Sequence, residues 1–153
     1  MDLEHYMRLA LDEARISLAE NEVPVGCVIA DETGRVVAAG HNRCAQSRNP
    51  LRHAEMEAIS AACRSLGRER LVGCTLFVTL EPCPMCAGAI MNSRISRLVY
   101  GAREELTVSC ARVINLFEER YPSRPAIYGG ILAAESAALM TEFFARLRTR
   151  EGE

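Results

Sequence analysis

Thr75-Leu76-Phe77-Val78-Thr79-Leu80-Glu81-Pro82-Cys83-Pro84-Met85-Cys86-Ala87-Gly88-Ala89-Ile90 reads as a strand, a tight turn and the start of a helix. Residues 75–80 form a short apolar run rich in aromatic and β-branched side chains, the pattern of a buried strand. Pro82 breaks the run, and Pro84 stands where the first turn of a helix tolerates proline, which predicts a helix over 84–93. A buried strand feeding directly into a helix is the repeating unit of an α/β layered domain, and such sheets place their chemistry at strand-to-helix transitions. Cys83 and Cys86, three apart, fall on one helical face and can reach a common point.

Working outward, His53-Ala54-Glu55 lies thirty positions before Cys83 and opens a second helix, predicted over 53–66 and closed by Gly67. Met56, Ile59, Ser60 and Cys63 are expected to share its face towards the core. One His and two Cys supply three ligands of the softness zinc takes, the number that leaves a fourth tetrahedral position open for water. Alone, C-x-x-C also serves as a redox pair or as half of a structural zinc site. The redox reading leaves His53 and Glu55 without a role, and a structural zinc needs a fourth protein ligand. His5, His41 and the scattered Cys27, Cys44, Cys63, Cys74 and Cys110 offer no second close pair. The prediction is therefore one catalytic Zn2+ per subunit on His53, Cys83 and Cys86, with Glu55 beside it free to move protons. Glu57 is expected on another face, in solvent.

The rest of the chain continues the alternation. Residues 2–20 show helical spacing of Met7, Ala10, Leu11, Ala14 and Leu18. Strands at 25–30 and 36–41 flank the turn Asp31-Glu32-Thr33-Gly34 as a hairpin, and 43–52 reads as a polar loop. A strand at 97–100 stopped by Gly101, a weak helix over 108–119, a short strand at 126–128 and a long helix over 131–148 complete it. The expected fold is a three-layer α/β/α domain on a five-stranded mixed sheet, parallel in its second half, with residues 1–153 forming one domain.

Composition sets outer bounds. Apolar residues make up 49% of the chain and charged ones 25%, an ordinary globular balance. No apolar stretch approaches the ~20 residues of a membrane span, and Met1-Asp2-Leu3-Glu4 lacks a basic leader. Seven cysteines, an odd number, argue for a reducing compartment, so a cytoplasmic location is expected. All 18 basic residues are Arg, and residues 33–103 carry a net +6 within a chain of net −2. Arginine forks suit phosphate, although most surface arginines are simply solvated.

H-x-E followed by P-C-x-x-C is a documented signature of zinc-dependent nucleobase deaminases. The wider wording resembles the bacterial tRNA adenosine deaminases, within the cytidine/deoxycytidylate deaminase superfamily. It is carried by Glu22-Val23-Pro24-Val25-Gly26, Gly40-His41-Asn42-Arg43, His53-Ala54-Glu55, residues 78–90, Ser93-Arg94-Ile95, Tyr100-Gly101-Ala102-Arg103 and the tail from Gly130 to Phe144. The resemblance implies hydrolytic conversion of adenosine to inosine at the wobble position of a tRNA anticodon, by zinc-bound hydroxide with Glu55 as proton shuttle. It also implies a homodimer, a base contact from Asn42, and anticodon-loop contacts from Glu22, Leu80 and Phe144. Arg148, near the end of the last helix, is a further candidate for the RNA, and Arg52 stands either against phosphate or in solvent. The chain departs from the family at 104–112, where Glu104-Glu105-Leu106-Thr107-Val108-Ser109-Cys110-Ala111-Arg112 replaces a Lys-bearing, glycine-rich loop. Guanine deaminases share the Glu81-Pro82-Cys83-Pro84-Met85-Cys86 wording, so a free base or nucleoside is the alternative substrate, and a silent RNA-binding zinc domain a more distant one.

Overall fold

The computed structural model describes residues 1–103 and 116–152. Helix α1 (Leu3–Ala19) starts at Asp2, whose carboxylate accepts the His5 N–H at 3.2 Å. Strands β1 (Gly26–Ala30) and β2 (Val36–His41) pair antiparallel around the expected turn. Helix α2 (Cys44–Ser47) and helix α3 (Ala54–Leu66) follow, then β3 (Thr75–Leu80), α4 (Pro84–Asn92) and β4 (Arg97–Ala102). Strand β5 (Ala126–Tyr128) and helix α5 (Ala133–Glu151) end the fold. The sheet order is β2-β1-β3-β4-β5, with β1 antiparallel to β2 and β3, and β3, β4 and β5 mutually parallel. This is the three-layer α/β/α arrangement on a five-stranded mixed sheet.

Side-chain alternation along the strands builds the layers. Val28 and Ala30 of β1, Phe77 of β3 and Val99 of β4 meet Met7 and Ala10 of α1. Cys27 and Ile29, Leu76 and Val78, and Leu98 and Tyr100 face the opposite layer, where Ala54, Ala58 and Ala62 of α3 and Ile90 of α4 are buried. Helices α1 and α5 therefore cover one face and α3 and α4 the other.

Four expectations need correction. The segment 43–52 holds the single-turn helix α2, whose first amides are tied down by side chains distant in sequence. Gly101 does not stop β4: the strand continues to Ala102, paired with Leu80. Glycine is required there because a Cβ would lie 2.4 Å from Ser136 Oγ and 2.6 Å from the Thr79 carbonyl. In α3 the fully buried line is Ala54, Ala58 and Ala62, with Glu55, whereas Met56, Ile59 and Cys63 are half-buried and Ser60 is exposed. The last helix starts two residues later than 131, after Leu132 turns the chain at φ 53°. The altered loop at 104–112, including Arg112, and most of the weak helix at 108–119 lie outside the described residues. Leu116–Glu118 forms one turn of 3-10 helix. No helix among the described residues is long and apolar enough to cross a membrane.

Candidate metal centre and active site

His53 and Cys83 occupy equivalent positions. Each is the residue just before a helix, in extended backbone (φ −69°, ψ 156° and φ −71°, ψ 169°), and neither side chain caps its helix. Both are thus free to turn inward, and the packing of α3 beside α4 brings them together. Cys86 joins from the first turn of α4, and Glu55 stands on the first turn of α3.

His53 Nδ1 lies 3.6 Å from Cys83 Sγ and 3.5 Å from Cys86 Sγ. All three donor atoms fall within 4.8 Å of one another. Tetrahedral zinc with bonds of about 2.05 Å to nitrogen and about 2.3 Å to sulfur spaces the two donors by about 3.6 Å. The donor set fits zinc in both chemistry and spacing. The electrostatics agree. Cys83 is held down to about 4 by hydrogen bonds from the Cys86 thiol and the His53 imidazole. Cys86 is pushed far up because its proton bridges to Cys83 and because it is buried. His53 is raised in turn, chiefly by its hydrogen bond to Cys83. A divalent cation bound there would displace the thiol protons. Among the described residues no fourth His, Cys, Asp or Glu joins the cluster.

Glu55 is 3% exposed, and burial pushes its carboxyl up to about 7. It lines a pocket of about 250 Å³ together with His53, Cys83, Asn42, Leu80, Val23, Val25, Ala54 and Glu81. A wider groove of about 1070 Å³ adjoins the pocket at Leu80, which lines both. Tyr100, Gly129, Gly130, Ala137, Met140, Phe144 and Arg148 form much of the groove.

The structure therefore gathers the expected residues in two groups. Asn42, Glu55, Leu80, His53 and Cys83 converge in the pocket, Cys86 joins His53 and Cys83 in the ligand cluster, and Phe144 and Arg148 share the groove. Two stand outside both cavities. Arg52 pairs with Glu57 at 3.0 Å, so Glu57 is 18% exposed in its side chain and engaged rather than free in solvent. Glu22 is 3% exposed, and its carboxylate accepts the Ala45 N–H at 3.1 Å and the Gln46 N–H at 2.7 Å. Sequence reasoning missed Val23, Val25 and Glu81 as pocket walls, although all three sit inside quoted motifs. It also missed Tyr100 and Met140 as groove walls; the Gly129-Gly130 pair is the one local signal of a cavity there.

Comparison with known proteins agrees with this geometry. Residues 1–102 match the family described as the cytidine and deoxycytidylate deaminase zinc-binding region. The tRNA-specific adenosine deaminase of Bacillus subtilis is 39% identical over 149 residues, covering 97% of this chain and 92% of that protein. A solved structure from studies of A-to-I editing by tRNA:A34 deaminases at the wobble position of transfer RNA superposes with a TM-score of 0.84 at 42% identity. It covers 88% of this chain and 98% of that one. Guanine deaminase from Nitrosomonas europaea superposes with a TM-score of 0.75 at 27% identity, over 93% of this chain and 84% of that one. A family match over residues 1–102, relatives about 40% identical over nearly the whole chain and a shared fold have one reading: the chain belongs to the cytidine and deoxycytidylate deaminase family of zinc-binding proteins.

Proposed function

We propose that this protein converts adenosine to inosine at the wobble position of a tRNA anticodon. The observation that carries the reading is that Leu80 lines both cavities. A free base needs only the small pocket. A nucleotide within a strand also needs room for its neighbours, and the groove offers that room with an aromatic ring, Phe144, and a cation, Arg148. Single-stranded RNA is bound in this way, by base stacking on aromatic rings and by arginine at the backbone. The relatives named as tRNA-specific adenosine deaminases, which this chain matches over almost its whole length, support the same substrate.

His53, Cys83 and Cys86 would hold the zinc. When bound, zinc supplies Lewis acidity that brings the pKa of water towards ~7. Asn42 orients the base in the pocket through its side-chain amide. Glu55 lies within the pocket but outside the ligand cluster, where its carboxylate can take one proton from water and deliver it to a ring nitrogen, then take the second from the hydroxyl added to the base and pass it to the departing amine. Ammonia leaves and a carbonyl replaces the amino group. Val23, Val25 and Leu80 wall the pocket with apolar surface that keeps bulk water from the reacting carbon.

The same reading makes residues 1–153 one domain, working in the cytoplasm as a homodimer. The single sheet that carries both ligand-bearing helices supports the first point, and the family resemblance supports the others. One observation favours a second substrate: the pocket's volume of about 250 Å³ suits one free base, and guanine deaminase shares the fold. Incubating the purified protein with a tRNA bearing wobble adenosine, and separately with guanine, cytosine and adenosine, decides between them. Inosine in the tRNA is the expected product. Ammonia from a free base with no inosine in the tRNA would overturn the proposal.

A further inference from the structure

A buried carboxylate is costly unless its oxygens are hydrogen-bonded. Glu22 meets that cost in an unusual way. Among the described residues no Arg or His pairs with it, and its bonding is to backbone. The two oxygens take the amides of Ala45 and Gln46 at the start of α2, a helix without a cap of its own at Arg43. The amide before these, Cys44 N–H, is taken by Asn42 Oδ1 at 3.2 Å. Two side chains, Asn42 and Glu22, thus satisfy the first three amides of α2 between them.

Asn42 is fixed at every other atom that faces the protein. Its Nδ2 donates to the carbonyl of Val23, the residue after Glu22, at 3.2 Å. Its own carbonyl accepts from the buried Ser17 hydroxyl at 2.9 Å, and its backbone N–H donates to Val25 at 3.1 Å. Turning the side-chain amide over would set a donor against Cys44 N–H and an acceptor against the Val23 carbonyl. One orientation remains, leaving one N–H and one lone pair for the pocket that Asn42 lines.

We propose that Glu22 is a positioning residue for Asn42, not a contact for the substrate. It holds the first turn of α2 in place, so that Cys44 N–H stays aimed at Asn42 Oδ1 and the amide keeps the face that reads the base. The inference rests on the proposed function only in giving Asn42 to the substrate.

A double-mutant cycle tests it. Turnover is measured under single-turnover conditions for the wild type, Glu22→Ala, Glu22→Gln, Asn42→Ala and the Glu22/Asn42 double variants, with zinc content checked in each. Glu22→Ala is expected to lose about 10- to 100-fold in kcat/KM, the size of loss seen when a partner that orients a metal ligand is removed. Glu22→Gln should fall between, since one carbonyl oxygen serves one of the two amides. With Asn42 already Ala, removing Glu22 should cost about twofold or less. An equal loss in both backgrounds would mean that Glu22 touches the substrate or acts through the fold at large, and overturns the proposal.

Amide hydrogen exchange gives a readout that needs no substrate. Ala45 and Gln46 should exchange at least about tenfold faster in Glu22→Ala than in the wild type, with α3 and α4 unchanged. Unaltered protection at those two amides overturns the proposal on its own. If Glu22→Ala does not fold, Glu22→Gln carries both measurements. Failure of the substrate reading would show separately, as a wild type inactive on tRNA; the cycle would then be run on whichever base is turned over.

Discussion

Gly40→Ala probes how the sheet positions the chemistry. Gly40 lies on β2 beneath α3, where an added Cβ would stand 2.7 Å from the Ala54 carbonyl oxygen and 2.8 Å from Ala58 N. Ordinary contact begins near 3.4 Å, and both obstacles are backbone, so no side chain can swing away. Helix α3 must rise from β2 by roughly 0.7 Å at its first turn, the turn that carries Glu55 and follows His53. Overpacking of this kind costs about 1–3 kcal/mol. Replacing glycine with alanine returns about 0.4–1 kcal/mol through the unfolded chain, so the clash wins. The net loss, up to about 2.6 kcal/mol, should lower the melting temperature of a chain of this size by up to roughly 10 °C. Activity should fall further than stability does, because a shift approaching 1 Å at a reacting group can cost about 10²-fold. Thermal melts, zinc content and turnover on one preparation give the result. An unchanged melting temperature with full activity would refute the claim that close approach of α3 to β2 sets the site.

Other outcomes follow from the same geometry. Glu55→Gln should keep the fold and bind zinc but lose about 10²–10⁴-fold in turnover, measured against metal content, because an amide cannot shuttle protons. Cys86→Ala should abolish zinc binding at ordinary concentrations, read by metal analysis, since it removes one of three ligands. Arg148→Ala should weaken tRNA binding and reduce the slope of log K against log salt by about 1, while leaving any turnover of a free base unchanged. Asp31 is held down to about 2, first by the Thr33 hydroxyl at 2.6 Å and then by the Thr33 and Arg35 amides. A carboxyl lowered on folding stabilises fully above its ordinary value near 3.8, and that stability is lost as pH falls towards 2. Asp31→Asn should therefore flatten the decline of the melting temperature between about pH 4 and pH 2.

What the sequence made legible was whatever physical chemistry demands of residue type at fixed spacing. The ligand set is of this kind: His53, Cys83 and Cys86 converge as expected, because few side chains bind zinc and a helix brings residues three apart to one point. Strands β2, β3 and β5 fall on their expected residues because their apolar runs are bounded by turn residues. Three of the four misreadings share a cause, in that the deciding partner lies far along the chain, whereas the late start of α5 is set locally by the turn at Leu132. The buried line of α3 is read wrongly because larger side chains suggested the core face. The structure buries alanines there, since Gly40 lets the helix come so close that only small residues fit. Helix α2 is hard to read locally because two of its first three amides are satisfied by Glu22, more than twenty residues earlier. Gly101 looks like a stop until Ser136 is seen against it.

Helix α5 forms one wall of the groove yet buries only Ser136 and Leu139, while the ligands sit on α3 and α4 in the opposite layer. Substitutions along its groove side, at Ala137, Met140, Thr141 or Phe144, touch neither the metal nor the deep core. Such a division lets substrate range drift by surface changes of small thermodynamic consequence while the reaction is preserved. On the proposed reading, a lineage can thus try new RNA contexts around the base without passing through an unfolded or metal-free ancestor. If the groove holds the RNA as proposed, the reaction is inherited with the sheet and its pocket, and the last helix adjusts only what surrounds the reacting base.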